Sequence, residues 1–335
     1  MKAFVSIPKG IRFDTFFTSQ NIALAESLGD IVWNNESRQL REDELAEKIT
    51  DCDVYIALWG SPALTDKVLQ KAKNLKLITV LGSTVSPFVS DAMWDRGIRA
   101  ISALDYFAES TAEGAIAYML ASLRRIPFYS QRLKADGVWC EPHDRTEGLI
   151  KKSVGIVGYG AVGKHLARML SVFNVAIKVY DIKEIPEEDR KKYGLQPCSI
   201  EEIFSECDVI SLHVPHNKST HHIIDERLIS MIKPGALIVN TARGGIVDQA
   251  VLTERLRLGD IKAALDVFEV EPIDGDDELL GLDNALLIPH QAGVTTDLRA
   301  ILTADLLIES ARFIDCGAPL KNEISRAYAM GMSDK

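Results

Sequence analysis

The chain has 335 residues, is 47% hydrophobic and 26% charged, and carries a net charge of −10. Its length exceeds what one core usually serves, so two domains are expected, and the apolar share is enough to fill both. An acidic balance argues against nucleic acid or an anionic membrane as partner, because phosphate contacts need clustered Lys and Arg.

Five short apolar runs, residues 2–7, 30–34, 53–59, 76–81 and 98–102, read as strands. Helix-like stretches over 16–29, 41–50, 65–74 and 89–97 separate them. That alternation implies a parallel sheet covered on both faces. Residues 109–126 read as one long helix, with Ser110 and Glu113 spaced as a capping box at its start. A second series of strands follows at 153–158, 176–181, 208–215, 236–240, 263–268 and 285–289. The stretch from 295 reads as a final helix stopped by Gly317. Where that helix packs is left open by the pattern.

The five cysteines, Cys52, Cys140, Cys198, Cys207 and Cys316, are odd in number and contain no C-x-x-C. They read as reduced thiols. The opening MKAFVSIPKG is too short in its apolar run for a signal peptide, and no stretch nears the ~18–20 apolar residues of a membrane span. A cytoplasmic protein with no membrane partner is expected.

The strongest local signal is Gly158, Gly160 and Gly163, a G-x-G-x-x-G with Ala161 and Val162 between its last two glycines. It follows an apolar strand and opens a helix, the context a pyrophosphate-binding turn requires. Backbone N–H groups and the helix N-terminus there favour an anion. Asp181 ends the next strand, where a carboxylate accepts from the 2′-hydroxyl of NAD. It would repel the 2′-phosphate of NADP by about 1–4 kcal/mol. NAD is therefore expected over NADP, with Lys183 nearby able to soften the preference.

Ligands of open α/β sheets sit outside the carboxyl ends of the strands. Four ionisable residues follow apolar runs there: Arg243, Asp266, Glu271 and His290. A guanidinium binds a carboxylate bidentately, a histidine moves a proton near neutral pH, and a carboxylate beside it orients the ring. Hydride exchange with a 2-hydroxy acid needs that set. Taken singly, Arg243 and Glu271 read equally well as loop charges and His290 as a turn histidine. Spacing alone does not bring them together.

The segments GYGAVG, VYD, LHVP, NTARGGIVD, AALDVFEVEP and PHQAG, in this order, resemble the NAD-dependent D-isomer-specific 2-hydroxyacid dehydrogenases. The resemblance is close from about residue 105 to 295 and looser over 1–104. It implies an α/β fold in which a Rossmann nucleotide-binding domain (106–296) is inserted in a flavodoxin-like substrate domain (1–105 with 297–335). It further implies an active site in the cleft between the two, and a homodimer built around the nucleotide domain.

By position, the resemblance assigns Arg243 to the substrate carboxylate and carbonyl. His290 becomes the acid/base at the C2 oxygen, Glu271 its carboxylate partner, and Asp266 a contact of the nicotinamide carboxamide. It adds His213, Val214, Pro215, Thr241, Ala242 and Gly293 to the cofactor side, and Gly82, Ser83 and Trp59 to the substrate side. A glutamate at 271, where the related formate dehydrogenases carry glutamine, points to hydroxy-acid chemistry.

Two departures bear on the substrate. The family's G-x-G-x-D-N loop reads VLGSTVSPF here, keeping Gly82 and Ser83 without the Asp-Asn pair. Trp59 and Gly60 stand where many members carry Arg-Ser, which weakens the case for 3-phosphoglycerate. Phe107 stands where asparagine is common. Trp59 and Phe107 either narrow the pocket or only pack, with packing favoured. His213, His216, His221 and His222 cluster locally, but no cysteine or spaced carboxylate joins them in sequence, so no metal is expected.

The leading expectation is exchange of a hydride between NAD(H) and a small 2-oxo/2-hydroxy acid. A larger sugar acid as substrate is one alternative. An NAD(H)-sensing, corepressor-like scaffold is another; a chain ending at GMSDK, with no long tail past the fold, weighs against it.

Overall fold

The computed structural model describes residues 1–137, 139 and 146–331, so the Cys140 thiol lies outside the described residues. The chain divides into two compact units. One is Met1–Phe107 with the chain from Val294 onward; the other is Ala108–Gly293. The helices of the chain include α1 (Ile11–Phe16), α2 (Leu104–Leu123), α3 (Ile126–Asp136), α4 (Ala161–Leu170) and α5 (Thr296–Cys316).

In the first unit, β1 (Lys2–Val5), β2 (Asp30–Trp33), β3 (Val54–Ala57), β4 (Leu77–Val80) and β5 (Arg99–Ser102) pair in parallel, in the order β2-β1-β3-β4-β5. This is the flavodoxin-like order. Strands β3 and β4 are buried at every position, which is why they read as unbroken apolar runs rather than alternating ones. Helix α5 packs here: Leu302, Leu306 and Leu307 share a core with Val54, Ile56 and Leu77. Its Ser310 hydroxyl pairs with that of Thr79 at 2.7 Å. Gly317 ends α5 in the left-handed region, at φ 65°, a conformation glycine adopts without a Cβ penalty.

The second unit holds β6 (Ser153–Val157), β7 (Ala176–Tyr180), β8 (Leu195–Pro197), β9 (Val209–Leu212), β10 (Leu237–Asn240), β11 (Lys262–Leu265) and β12 (Ala285–Leu287). All are parallel, in the order β12-β11-β10-β9-β6-β7-β8. This is the Rossmann arrangement, with its reversal of strand order beside β6. Strand β8 is additional to the six expected. Only one of its three residues, Leu195, is buried, so no apolar run marks it.

The expected helix 109–126 is corrected at both ends. Helix α2 begins at Leu104, whose amide donates to the Ser102 hydroxyl at 3.2 Å. Ser110 therefore lies inside the helix rather than capping it; its hydroxyl donates to the Gly293 carbonyl at 3.1 Å instead. At the other end, Arg125 adopts φ 52° and separates α2 from α3. Pro127 fits the first turn of α3, where no intrahelical N–H is needed. Among the described residues, no helix is long and apolar enough to cross a membrane.

Candidate active site

The three glycines of the turn after β6 have distinct reasons to be glycine. Gly158 adopts φ 101°, and a Cβ there would stand 2.7 Å from the His213 carbonyl. A Cβ on Gly163 would stand 2.1 Å from the Gly158 carbonyl oxygen. These two close the turn against β9 and α4. Gly160 has open space around its Cβ position, the side from which a phosphate could approach the backbone.

Asp181 follows β7 directly. Its Oδ2 accepts the Tyr159 amide at 2.6 Å, and its Oδ1 accepts the Lys183 amide at 2.8 Å. The carboxylate is thereby fixed beside the glycine turn, with lone pairs to spare for a ribose hydroxyl. A cavity of about 200 Å³ opens beside it, lined in part by Val179, Lys183, Ile185 and Arg190.

His213 leaves β9 with its amide donating to the Val157 carbonyl at 2.7 Å and its Nε2 2.8 Å from the Ser211 hydroxyl. Burial pushes its pKa down to about 3, so the ring is neutral at pH 7. Val214 and Pro215 follow it. Thr241, just past β10, is buried with a hydroxyl that meets no protein partner. A buried orphan hydroxyl at the end of β10, on the same sheet as a glycine turn that a Cβ would fill, suits a dinucleotide.

Past Thr241 and Ala242 the chain turns at Arg243. Asn240 braces the turn: its amide nitrogen donates to the Arg243 carbonyl at 3.0 Å, and its Oδ1 accepts the Ala242 amide at 3.0 Å. The next residue must be glycine, since a Cβ on Gly244 would stand 1.9 Å from the Phe268 carbonyl. This close approach lays the arginine turn on the loop that carries Glu271. Burial lowers the Arg243 pKa, and the Glu271 carboxylate opposes that shift.

Glu271 and His290 meet. The Glu271 Oε2 lies 2.8 Å from the His290 Nδ1, and its Oε1 accepts the Phe268 amide at 3.0 Å. A carboxylate accepts only, so Nδ1 carries the proton that joins the pair. His290 itself adopts φ 55°, uncommon for a residue with a side chain. Its amide donates to the Asp266 carbonyl at 2.8 Å.

The buried Asp266 carboxylate holds the rest of that turn. Its Oδ1 accepts the Gln291 amide at 2.7 Å, and its Oδ2 accepts the Ala292 amide at 3.0 Å. Asp266 thus orders the peptide that presents His290, in addition to any contact with a cofactor.

Sequence reasoning passes over the outer brace of this turn. The Tyr118 hydroxyl donates to the Asp266 Oδ1 at 3.1 Å. Ser110, Gly114 and Tyr118 fall four apart on one face of α2. Ser110 bonds Gly293, a Cβ on Gly114 would stand 3.0 Å from the Ala292 carbonyl, and Tyr118 reaches Asp266. A small–small–tyrosine stripe at that spacing is the signal that could have found it.

The histidine cluster also differs from expectation, because a carboxylate does join it. His222 Nε2 lies 2.7 Å from Glu269 Oε1, across 47 positions of sequence. His221 stacks on His222 at 4.0 Å. Among the described residues, no group of three His, Cys, Asp or Glu side chains could hold a metal ion.

In the first unit, Trp59 follows β3 and packs edge-to-face against Phe16 and Phe107, at 6.2 and 5.9 Å. Gly82 and Ser83 follow β4. A Cβ on Gly82 would lie 3.5 Å from the Trp59 Nε1.

Residues 116–292 match the profile described as the NAD binding domain of the D-isomer specific 2-hydroxyacid dehydrogenases. The chain belongs to this family. It is 36% identical over 278 residues to a D-3-phosphoglycerate dehydrogenase of Methanocaldococcus jannaschii, covering 82% of this chain. The match spans about half, 52%, of that longer relative. It is 33% identical over 274 residues to a hydroxypyruvate reductase of Thermotoga maritima, covering 81% of this chain and 88% of the relative. A crystal structure of a Thermus thermophilus protein superposes with a TM-score of 0.77 at 25% identity, covering 97% of this chain and all of that one.

Proposed function

We propose that this member of the family is an NAD-dependent oxidoreductase that interconverts a small 2-oxo acid and its D-2-hydroxy acid. The observation that carries the reading is the His290–Glu271 pair at 2.8 Å, with Glu271 on the loop against which the half-buried Arg243 turn is packed.

When bound, NADH supplies the hydride for C2 of the oxo acid. Gly158, Gly160, Ala161, Val162 and Gly163 would hold its pyrophosphate and Asp181 its ribose, and His213, Val214, Pro215, Thr241, Ala242 and Gly293 would line its path. Asp266 would contact the carboxamide end. Arg243 pairs with the substrate carboxylate and draws charge from the carbonyl. His290 gives a proton from Nε2 to the C2 oxygen as that oxygen gains charge, and takes it back in the reverse direction. Glu271 keeps the ring in the orientation and tautomer this requires.

The sequence resemblance adds Gly82 and Ser83 as backbone donors to the substrate and Trp59 as a wall. Asp181 sets NAD above NADP. The relatives reduce hydroxypyruvate or oxidise 3-phosphoglycerate by name, and a C2–C3 oxo acid of that kind is the proposed substrate class. Loss of NADH absorbance with a panel of 2-oxo acids, followed by chiral separation of the product, tests it. An L-isomer product, or no product, would overturn the assignment.

We further propose a homodimer. Helix α3 buries none of its residues, and it exposes Ile126 and Leu133 at 53% and 48%. A second copy covering this face would bury them. Light scattering on the purified protein would show twice the chain mass; a monomer would refute it.

A further inference from the structure

Glu269 and Glu271 lie two residues apart on the loop after β11, and each carboxylate takes an imidazole. Glu271 takes His290. Glu269 takes His222, with 2.7 Å between Oε1 and Nε2. A carboxylate accepts only, so the His222 Nε2 carries the proton of that bond. The first pair moves the proton in the proposed reaction; the second lies outside it.

His222 also touches the Arg243 turn. Its amide donates to the carbonyl of Gly245, two residues past Arg243, at 2.9 Å. The chain continues alongside: the Ile224 amide donates to the Ile246 carbonyl at 3.0 Å. His222 adopts φ 49°, a conformation that costs free energy in a residue with a side chain and persists where the surroundings hold it. The bonds to Gly245 and Glu269 hold it here, and His221 stacks on its ring at 4.0 Å.

The bond from the Phe268 amide to Glu271 runs within the loop. It shapes the loop without placing it against Arg243. Placement falls to contacts that leave the loop: the close approach of Gly244 to Phe268, the bond from the Glu269 amide to the Gln249 Oε1 at 3.0 Å, and the His222–Glu269 pair. We propose that His222 is a positioning residue. Holding Gly245 with its amide and Glu269 with its ring, it sets the separation of the Arg243 guanidinium from the Glu271–His290 pair. This rests on the proposed dehydrogenase activity, in which Arg243 grips the substrate that His290 protonates. A misplacement of about 1 Å in such a geometry costs on the order of 10²-fold in rate.

The test uses the full-length protein with saturating NADH and whichever of glyoxylate, pyruvate and hydroxypyruvate it reduces fastest. kcat, expressed per bound NADH, and KM are measured for wild type, His222→Ala, His222→Gln, Glu269→Ala and the double alanine variant. His222→Ala should lower kcat by about 10–100-fold. KM should stay within about twofold, the pattern of an interaction felt in the transition state. His222→Gln, whose side-chain amide can donate to Glu269, should recover most of the loss. The double variant should be no slower than Glu269→Ala, because the pair acts as a unit. The pair is partly exposed, so the urea midpoint should scarcely move. An unchanged kcat in His222→Ala, a His222→Gln as slow as His222→Ala, or additive losses in the double variant overturns this inference alone. Should His222→Ala fail to fold, wild-type kcat in Glu269→Ala overturns it equally. Absence of wild-type turnover with all three acids overturns the dehydrogenase reading and this inference with it.

Discussion

The His290 Nδ1 lies 2.8 Å from the Glu271 Oε2, while the other oxygen of that carboxylate is held by the Phe268 amide. Phe268 is also the residue whose backbone excludes a Cβ at Gly244, next to Arg243. The loop after β11 therefore touches both His290, through Glu271, and the Arg243 turn, through Phe268, and the consequences can be measured.

Arg243→Lys keeps the charge and loses the planar fork. Charge-assisted bonds are worth roughly 1.5–3 kcal/mol each, and a lysine cannot reproduce the bidentate geometry. Steady-state kinetics should show kcat/KM for 2-oxo acids falling by about 10–100-fold. Near-wild-type kinetics would remove Arg243 from the substrate.

Gly244→Ala places a Cβ 1.9 Å from the Phe268 carbonyl, so backbone must move. A destabilisation of about 1–3 kcal/mol is expected, seen as a lower urea midpoint, with a loss of activity larger than the loss of folded protein. An unchanged midpoint would show that the two loops are not tightly packed.

Tyr118→Phe removes one donor from the buried Asp266 carboxylate and leaves the aromatic ring. Chemical denaturation should show a loss of roughly 1–3 kcal/mol. The turn at His290 loosens with it, so kcat should fall as well. A stable, fully active variant would confine Tyr118 to filling space.

His213 gives a pH dependence of stability with a definite sign. Its pKa is 6.5 in the reference state and about 3 when folded. Between those values the unfolded chain binds the proton and the folded one does not, so stability falls as pH falls. The contribution is complete above about pH 6.5 and is lost progressively toward pH 3. His213→Gln should flatten the urea midpoint measured between about pH 6.5 and 4. An equally steep profile in the variant would place the cause elsewhere.

The fold class was legible because buried parallel strands leave unbroken apolar runs: β3, β4, β9 and β10 are buried at every position. Strand β8 left no such run, since two of its three residues face solvent. Ser110 and Glu113 have the spacing of a cap, yet the chain satisfies the start of α2 earlier, with Ser102, because tertiary contact claims Ser110 for Gly293. Strand-end position points to Arg243, Asp266, Glu271 and His290 in the sequence. What it cannot supply is pairing across distance: Tyr118 to Asp266, His222 to Glu269, and Arg12 to Trp59 each join remote stretches of chain.

The central claim is that His290, oriented by Glu271, moves the proton while NADH delivers the hydride. The most direct measurement is NADH consumption with 2-oxo acids by wild type and His290→Ala, with NADH binding checked separately. Wild-type turnover is expected, with a fall of about 10²–10⁴-fold in the variant and NADH still bound. A variant that turns over as fast as wild type would contradict the claim.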